Sequence, residues 1–122
     1  LALWQYHKKI VLIDKSGEIL TSQIKPFLHF PLVLGRNAPA AAPKLFQTLK
    51  KYPHIQKEVI TATRIGNRRW DLKLKNGRIL MLPEDRYDQS LRTLDGLQKK
   101  LKIFDKAKKV IDMRLHKKMV MR

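Results

Sequence analysis

Cysteine is missing from this chain altogether, and two chemistries go with it. No disulfide framework can staple the fold, and no thiolate can hold a metal or act as a nucleophile. The same absence leaves the redox compartment open. Long apolar runs are missing too: no stretch approaches the roughly 18 apolar residues a membrane-spanning helix needs. Acid is scarce, with 10 Asp and Glu against 27 Lys and Arg, a net charge of +17. Five Gly and six Pro are too few for a low-complexity chain. Catalytic patterns are also lacking. Ser16, Ser22 and Ser90 have no G-x-S-x-G context, and His7, His29, His54 and His116 lie far apart with no H-x-x-x-H pair for a metal. Gly35-Arg36-Asn37 is too sparse for a phosphate loop. Glu84, Asp85 and Asp88 do cluster, but acids at a helix N-terminus complement its macrodipole before they suggest acid–base work. No catalytic residue, metal ligand or cofactor is expected, and the chain reads as non-enzymatic.

What is present is a composition of 43% hydrophobic and 30% charged residues. Over 122 residues that suits one domain, 1–122, with a modest core. The chain starts at Leu1, directly in a strand-like apolar segment, so it is expected to be a fragment of something longer. The basic charge admits two readings. Lysines and arginines that neutralise phosphates release counterions and bind nucleic acid. Alternatively the surface is simply basic and faces anionic lipid headgroups or an acidic partner. The residues are spread along the chain, at Lys8-Lys9, Lys50-Lys51, Arg68-Arg69, Lys99-Lys100, Lys108-Lys109 and Lys117-Lys118. No RNP-like aromatic strand, zinc spacing or recognition helix accompanies them, which favours the general basic surface over a nucleic-acid site.

The clearest structural signal is Arg68-Arg69-Trp70-Asp71-Leu72-Lys73-Leu74. Trp70, Leu72 and Leu74 alternate with Arg69, Asp71 and Lys73, the period of a half-buried strand. Asn76-Gly77 predicts a type I′ turn into Arg78–Leu82, and Gly66-Asn67 joins the first strand back to another over Val59–Ile65. Three antiparallel strands in succession make a meander, in which Trp70 should face the core. Earlier, Lys9–Ile13 and Glu18–Leu20 flank a Gly-containing loop as a first hairpin, with Leu1–Gln5 beside it, and Leu32–Leu34 is a short apolar run ending in Gly35. Pro43 suits the first turn of a short helix carrying Leu45, Phe46 and Leu49 on one face, ended by Tyr52-Pro53. After Pro83-Glu84-Asp85, a helix should place Tyr87, Leu91, Leu94, Leu97 and Leu101 on one face, with Gly96 weakening it by about 1 kcal/mol. Lys109–Leu115 alternates again, Ile111, Met113 and Leu115 against Asp112 and Arg114, and Met119-Val120-Met121 resumes an apolar strand.

Seven pieces in this order carry a resemblance: Ala2–Gln5; Ile13-Asp14 with Gly17; Phe30–Gly35; Arg68–Leu72; Asn76-Gly77; Leu82–Glu84; and Ile111–Leu115. The chain resembles the periplasmic β domain of the FtsQ/DivIB family of cell-division proteins, particularly its alphaproteobacterial members. The resemblance implies an α+β fold, a mixed, mostly antiparallel sheet with two helices packed on one face. It implies a non-catalytic scaffold without cofactors, and a monomer. The parent protein would have a short cytoplasmic tail, one transmembrane helix and a POTRA domain, holding this domain at the periplasmic face of the bacterial inner membrane. Its implied partners are the divisome proteins FtsB and FtsL, an FtsB strand adding to the last strands while basic side chains meet acidic ones. Carried onto this chain, the contact falls on Arg114, Leu115, Lys117, Met119, Val120 and Met121, with one of Arg68 or Arg69. Two features depart from the family pattern: His116-Lys117-Lys118 stands where a Pro- or Asp-containing turn is usual, and the chain stops at Arg122, which is expected to trim the edge strand.

An unpaired terminal strand does offer main-chain donors and acceptors to an incoming one. Proline at Val120 would block that addition if the Val120 N–H points outward. The competing reading packs Met119–Met121 on the core with Lys117 and Lys118 guarding the edge, and pairs Arg114 with Asp112 on one side of the sheet.

Overall fold

A computed structural model describes residues 1–102, 109–114 and 119–121, together with the side chains of these residues except 99–101. Nine strands form one sheet: β1 (Ala2–Tyr6), β2 (Lys9–Ile13), β3 (Ile19–Thr21), β4 (Leu32–Leu34), β5 (Val59–Ile65), β6 (Arg69–Leu74), β7 (Ile79–Met81), β8 (Val110–Asp112) and β9 (Val120–Met121). Their order across the sheet is β3-β2-β1-β4-β5-β6-β7-β8-β9. Three neighbouring pairs, β1–β4, β4–β5 and β7–β8, are parallel and the others antiparallel. The expected mixed, mostly antiparallel α+β architecture is what forms.

The two long helices share a face for a topological reason. α1 (Ala38–Leu49), followed by the single turn α2 (Pro53–Gln56), carries the chain from β4 to its parallel neighbour β5, and α3 (Tyr87–Leu101) carries it from β7 to parallel β8. Both crossovers join strands of the same direction and step the same way across the sheet, so the right-handed rule for such connections sends both helices to one side. There they bury Val33, Ala62, Leu72, Leu80 and Ile111 against Leu45, Leu49, Leu91 and Leu94. Trp70 is 1% exposed in this core, as its alternation requires. Tyr87 and Leu97 pack beside it.

The meander is present, but its turns exchange roles. Gly66 and Asn67 take φ of 57° and 59°, and the Ile65 carbonyl accepts from the Arg68 N–H at 3.0 Å. This is the left-handed pair a type I′ turn requires. At the Asn76-Gly77 turn only Gly77 has positive φ, 84°. Leu74 accepts from Gly77 and donates to the Arg78 carbonyl, at 2.8 and 2.9 Å, while Asn76 Oδ1 accepts from the Arg78 N–H at 3.0 Å. The extra residue makes it a three-residue loop closed by a left-handed glycine rather than type I′.

The helix starts also move. α1 begins at Ala38 rather than at Pro43, because Pro39 takes the N-terminal turn and Ala40–Ala42 propagate it. Pro43 then lies inside the helix, where it cannot donate to the carbonyl of Pro39 four residues back. That carbonyl faces Gly17 instead: a Cβ on Gly17 would sit 2.4 Å from the Pro39 oxygen. α1 ends at Leu49, ahead of Tyr52-Pro53, and Pro53 opens the one-turn α2. α3 starts at Tyr87 after Arg86, whose φ is 60°. Glu84 and Asp85 therefore lie ahead of the helix, and only Asp88 is in its first turn.

Candidate functional site

β9 ends the sheet, so its outer side is paired with nothing among the described residues. Strand β8 is shorter than the alternation suggests, three residues rather than seven; Ile111 and Met113 still turn into the core. β9 pairs antiparallel to it, Asp112 opposite Val120 and Ile111 opposite Met121. Met119 packs against the core, Val120 is half-buried, and Met121 is 42% exposed. Leu115 and Lys117 lie outside the described residues, as do His116, Lys118 and Arg122.

The direction of each peptide group follows from the neighbouring ladder. Ile79 N–H donates to the Lys109 carbonyl, and Met113 N–H to the Met81 carbonyl, both at 2.8 Å. Odd-numbered peptide groups of β8 therefore face β7, and by strand alternation those of Asp112 face β9. Val120, opposite Asp112, turns its N–H and C=O inward to β8. Met121, one residue on, presents its own to the free edge. The expectation that proline at Val120 would act on the outer edge is thus corrected: the outward donor belongs to Met121.

Beside this edge, the face of the sheet away from the helices carries a ladder of charge. Asp71, Met81, Asp112 and Val120 lie opposite one another across β6, β7, β8 and β9. Arg114 grips Asp112 with both arms, Nε to Oδ1 at 2.9 Å and a terminal guanidinium nitrogen to Oδ2 at 2.7 Å. The hydrogen bonds with Asp112 hold the Arg114 guanidinium above its ordinary pKa, and the Asp112 and Asp71 charges add to this. Arg69 makes the equivalent bond to Asp71 at 2.5 Å. Extending the β6–β7 and β7–β8 registers by two residues places Arg69 and Arg114 in one row, two strands or about 10 Å apart. Arg68 instead sits exposed at the turn. Of the two candidates, Arg69 is the one brought to the face of Arg114. The pairing of Arg114 with Asp112, anticipated as the competing reading, is present as a bidentate bond.

Sequence reasoning missed a second polar cluster. The Tyr52 hydroxyl, between α1 and α2, hydrogen-bonds the Asp88 carboxylate on α3, and Lys51 Nζ lies 3.4 Å from the same carboxylate. The Tyr52 bond, reinforced by Lys51 and Arg92, lowers the Asp88 pKa below its ordinary 3.8. The acid was visible in the sequence, but its partner lies 36 residues away and left no local signal. Among the described residues no three His, Asp or Glu side chains gather to hold a metal, and no helix is long and apolar enough to cross a membrane.

A mixed sheet with two helices on one face, an edge strand unpaired on its outer side among the described residues, and arginine–aspartate pairs beside it define a class of protein: a single-sheet α+β module. The chain belongs to the FtsQ/DivIB family of cell-division proteins, whose C-terminal domain model matches residues 2–114. It is 38% identical over 114 residues to the cell division protein FtsQ of Rickettsia prowazekii, covering 93% of this chain and 43% of the relative. Identity is 34% to FtsQ of Rhizobium radiobacter, covering 93% and 54%, and 33% to FtsQ of Caulobacter vibrioides, covering 93% and 38%. The chain thus spans between about two fifths and about half of the length of these relatives.

Proposed function

We propose that this domain is a non-catalytic scaffold of the division machinery that binds FtsB and FtsL by accepting an FtsB strand along the outer side of β9. The observation that carries the reading is the outward-facing main chain of Met121 at the end of a nine-stranded sheet. Arg114 stands one strand inward of β9 and Arg69 three, on the face where acidic residues of the added segment would meet them. Arg114, Leu115, Lys117, Met119, Val120 and Met121 make up the contact, with Arg69 in preference to Arg68. In this reading the parent is a single-pass inner-membrane protein, the domain works as a monomer on the periplasmic side in support of septum formation, and its remaining basic surface faces anionic headgroups.

Two proline variants test the edge. Met121→Pro removes the outward donor and leaves the bonds to β8, so the domain should stay folded by circular dichroism and lose capture of periplasmic FtsB and FtsL segments. Val120→Pro strikes the inward ladder bond and should cost stability as well. If Met121→Pro captures FtsB normally, strand addition at β9 is wrong. A DNA-binding assay at two salt concentrations accompanies the capture: phosphate-driven binding should collapse between low and physiological salt, and tight binding that survived would replace the scaffold reading with a nucleic-acid one.

A further inference from the structure

On another part of the molecule a groove of about 380 Å³ opens where the chain approaches β4. Its origin is a parting of strands. β5 skips register between Val59 and Thr61, which takes Ile60 out of the ladder with β6. β4 pairs with β5 only from Leu32 onward, after Pro31, which has no N–H to donate. Below that point Leu28–Pro31 and Lys57–Ile60 run apart, and Phe46 and Leu49 of α1 line the space between them.

Two properties specify what fits there. The mouth is apolar and open: Leu28 is 65% exposed and Ile60 40%, against the usual tendency to bury such side chains. The charge at the groove is of one sign. Lys57 and Lys75 line it and no carboxylate does, and neither lysine has an ion pair among the described residues. Lys75 is held in place by its N–H, which donates to the Glu58 carbonyl at 2.8 Å. We propose that this groove docks a short apolar–acidic peptide segment of a partner protein, with an apolar side chain seated against Phe46 and Leu49 and flanking carboxylates on Lys57 and Lys75. A concave space between two chain segments is filled by a discrete side chain, whereas a flat bilayer would touch only its rim. The site is independent of β9.

The test is an NMR titration of the ¹⁵N-labelled domain with the probe peptide Ac-Glu-Phe-Leu-Glu-NH2, its lysine-flanked counterpart Ac-Lys-Phe-Leu-Lys-NH2, and phosphatidylglycerol vesicles. The acidic peptide should shift amide resonances of 28–30, 57–60 and 75 and leave 119–121 unmoved. K57E/K75E should weaken it about tenfold, two exposed charge pairs each being reversed, and Leu28→Asp should weaken it too. These positions are exposed, so unchanged spectra elsewhere will show that the variants remain folded. Shifts confined to other residues, equal binding of both peptides, indifference to K57E/K75E, or groove resonances that respond to the vesicles and not to the acidic peptide would each overturn the proposal.

Discussion

Replacing Trp70 with alanine should cost this domain about 4 kcal/mol. Trp70 is the largest fully buried side chain of the described residues, and its ring also receives the Arg64 guanidinium 5.3 Å from its centroid. A buried Trp removes roughly 200 Å² from water, worth about 5 kcal/mol at 25 cal/mol/Å². That is an upper figure, because the unfolded chain already buries part of this surface. Truncations of buried aromatics typically cost ~3–5 kcal/mol, cavity included, and the lost cation–π contact adds ~0.5–1 kcal/mol. Against a usual stability of ~5–15 kcal/mol the change is large, and at ~3–5 °C per kcal/mol for a domain of this size the melting temperature should fall by ~12–20 °C. Urea and thermal unfolding followed by circular dichroism measure it. A loss below about 1 kcal/mol would refute the packing argument, and full stability with lost partner capture would make Trp70 a contact residue.

Gly17→Ala should destabilise by more than the ~1 kcal/mol of its left-handed backbone, since the new Cβ meets the Pro39 carbonyl, whereas Gly96→Ala, with nothing within 4 Å, should stabilise α3 by up to ~1 kcal/mol; chemical denaturation separates the two signs. Asp88 has a depressed native pKa, so its contribution is present above the ordinary 3.8 and is lost as pH falls through the lower native value. Tyr52→Phe should therefore flatten the acid limb of melting temperature against pH, and an unchanged limb would show that the Tyr52–Asp88 bond contributes nothing. Arg114→Glu should weaken an acidic partner, most at low salt, but it also sets a carboxylate against buried Asp112. After allowing for solvent screening at the half-exposed arginine, that should cost about 1 kcal/mol in urea unfolding, so binding and stability must be measured together. No loss of stability would mean the bidentate pair is not maintained in solution.

The amino-acid sequence by itself determined the local elements. Alternation around Trp70 and around Ile111, the turn dipeptides at Gly66-Asn67 and Asn76-Gly77, and the spacing of Leu91, Leu94 and Leu97 each depend on a few consecutive residues, and each is where it was expected. Boundaries were less legible where two signals compete: Pro39 and Pro43 both suit a first turn, and the folded helix starts at Ala38 with Pro39 in its first turn and Pro43 inside it. Family membership was also readable, because seven short pieces keep one order. Tertiary structure alone decided the geometry of the edge. Whether Val120 or Met121 turns its N–H outward depends on the parity of β8 against β7, a contact with a strand some thirty residues earlier in the chain. Arg69 rather than Arg68 reaches the row of Arg114 because the β6–β7–β8 registers place it there. The Tyr52–Asp88 bond and the groove below β4 likewise join segments far apart in the chain. A side chain's neighbours along the chain set its conformation; its neighbours across the sheet set the direction in which its peptide group and charge point, and those exist only once the sheet has closed its register.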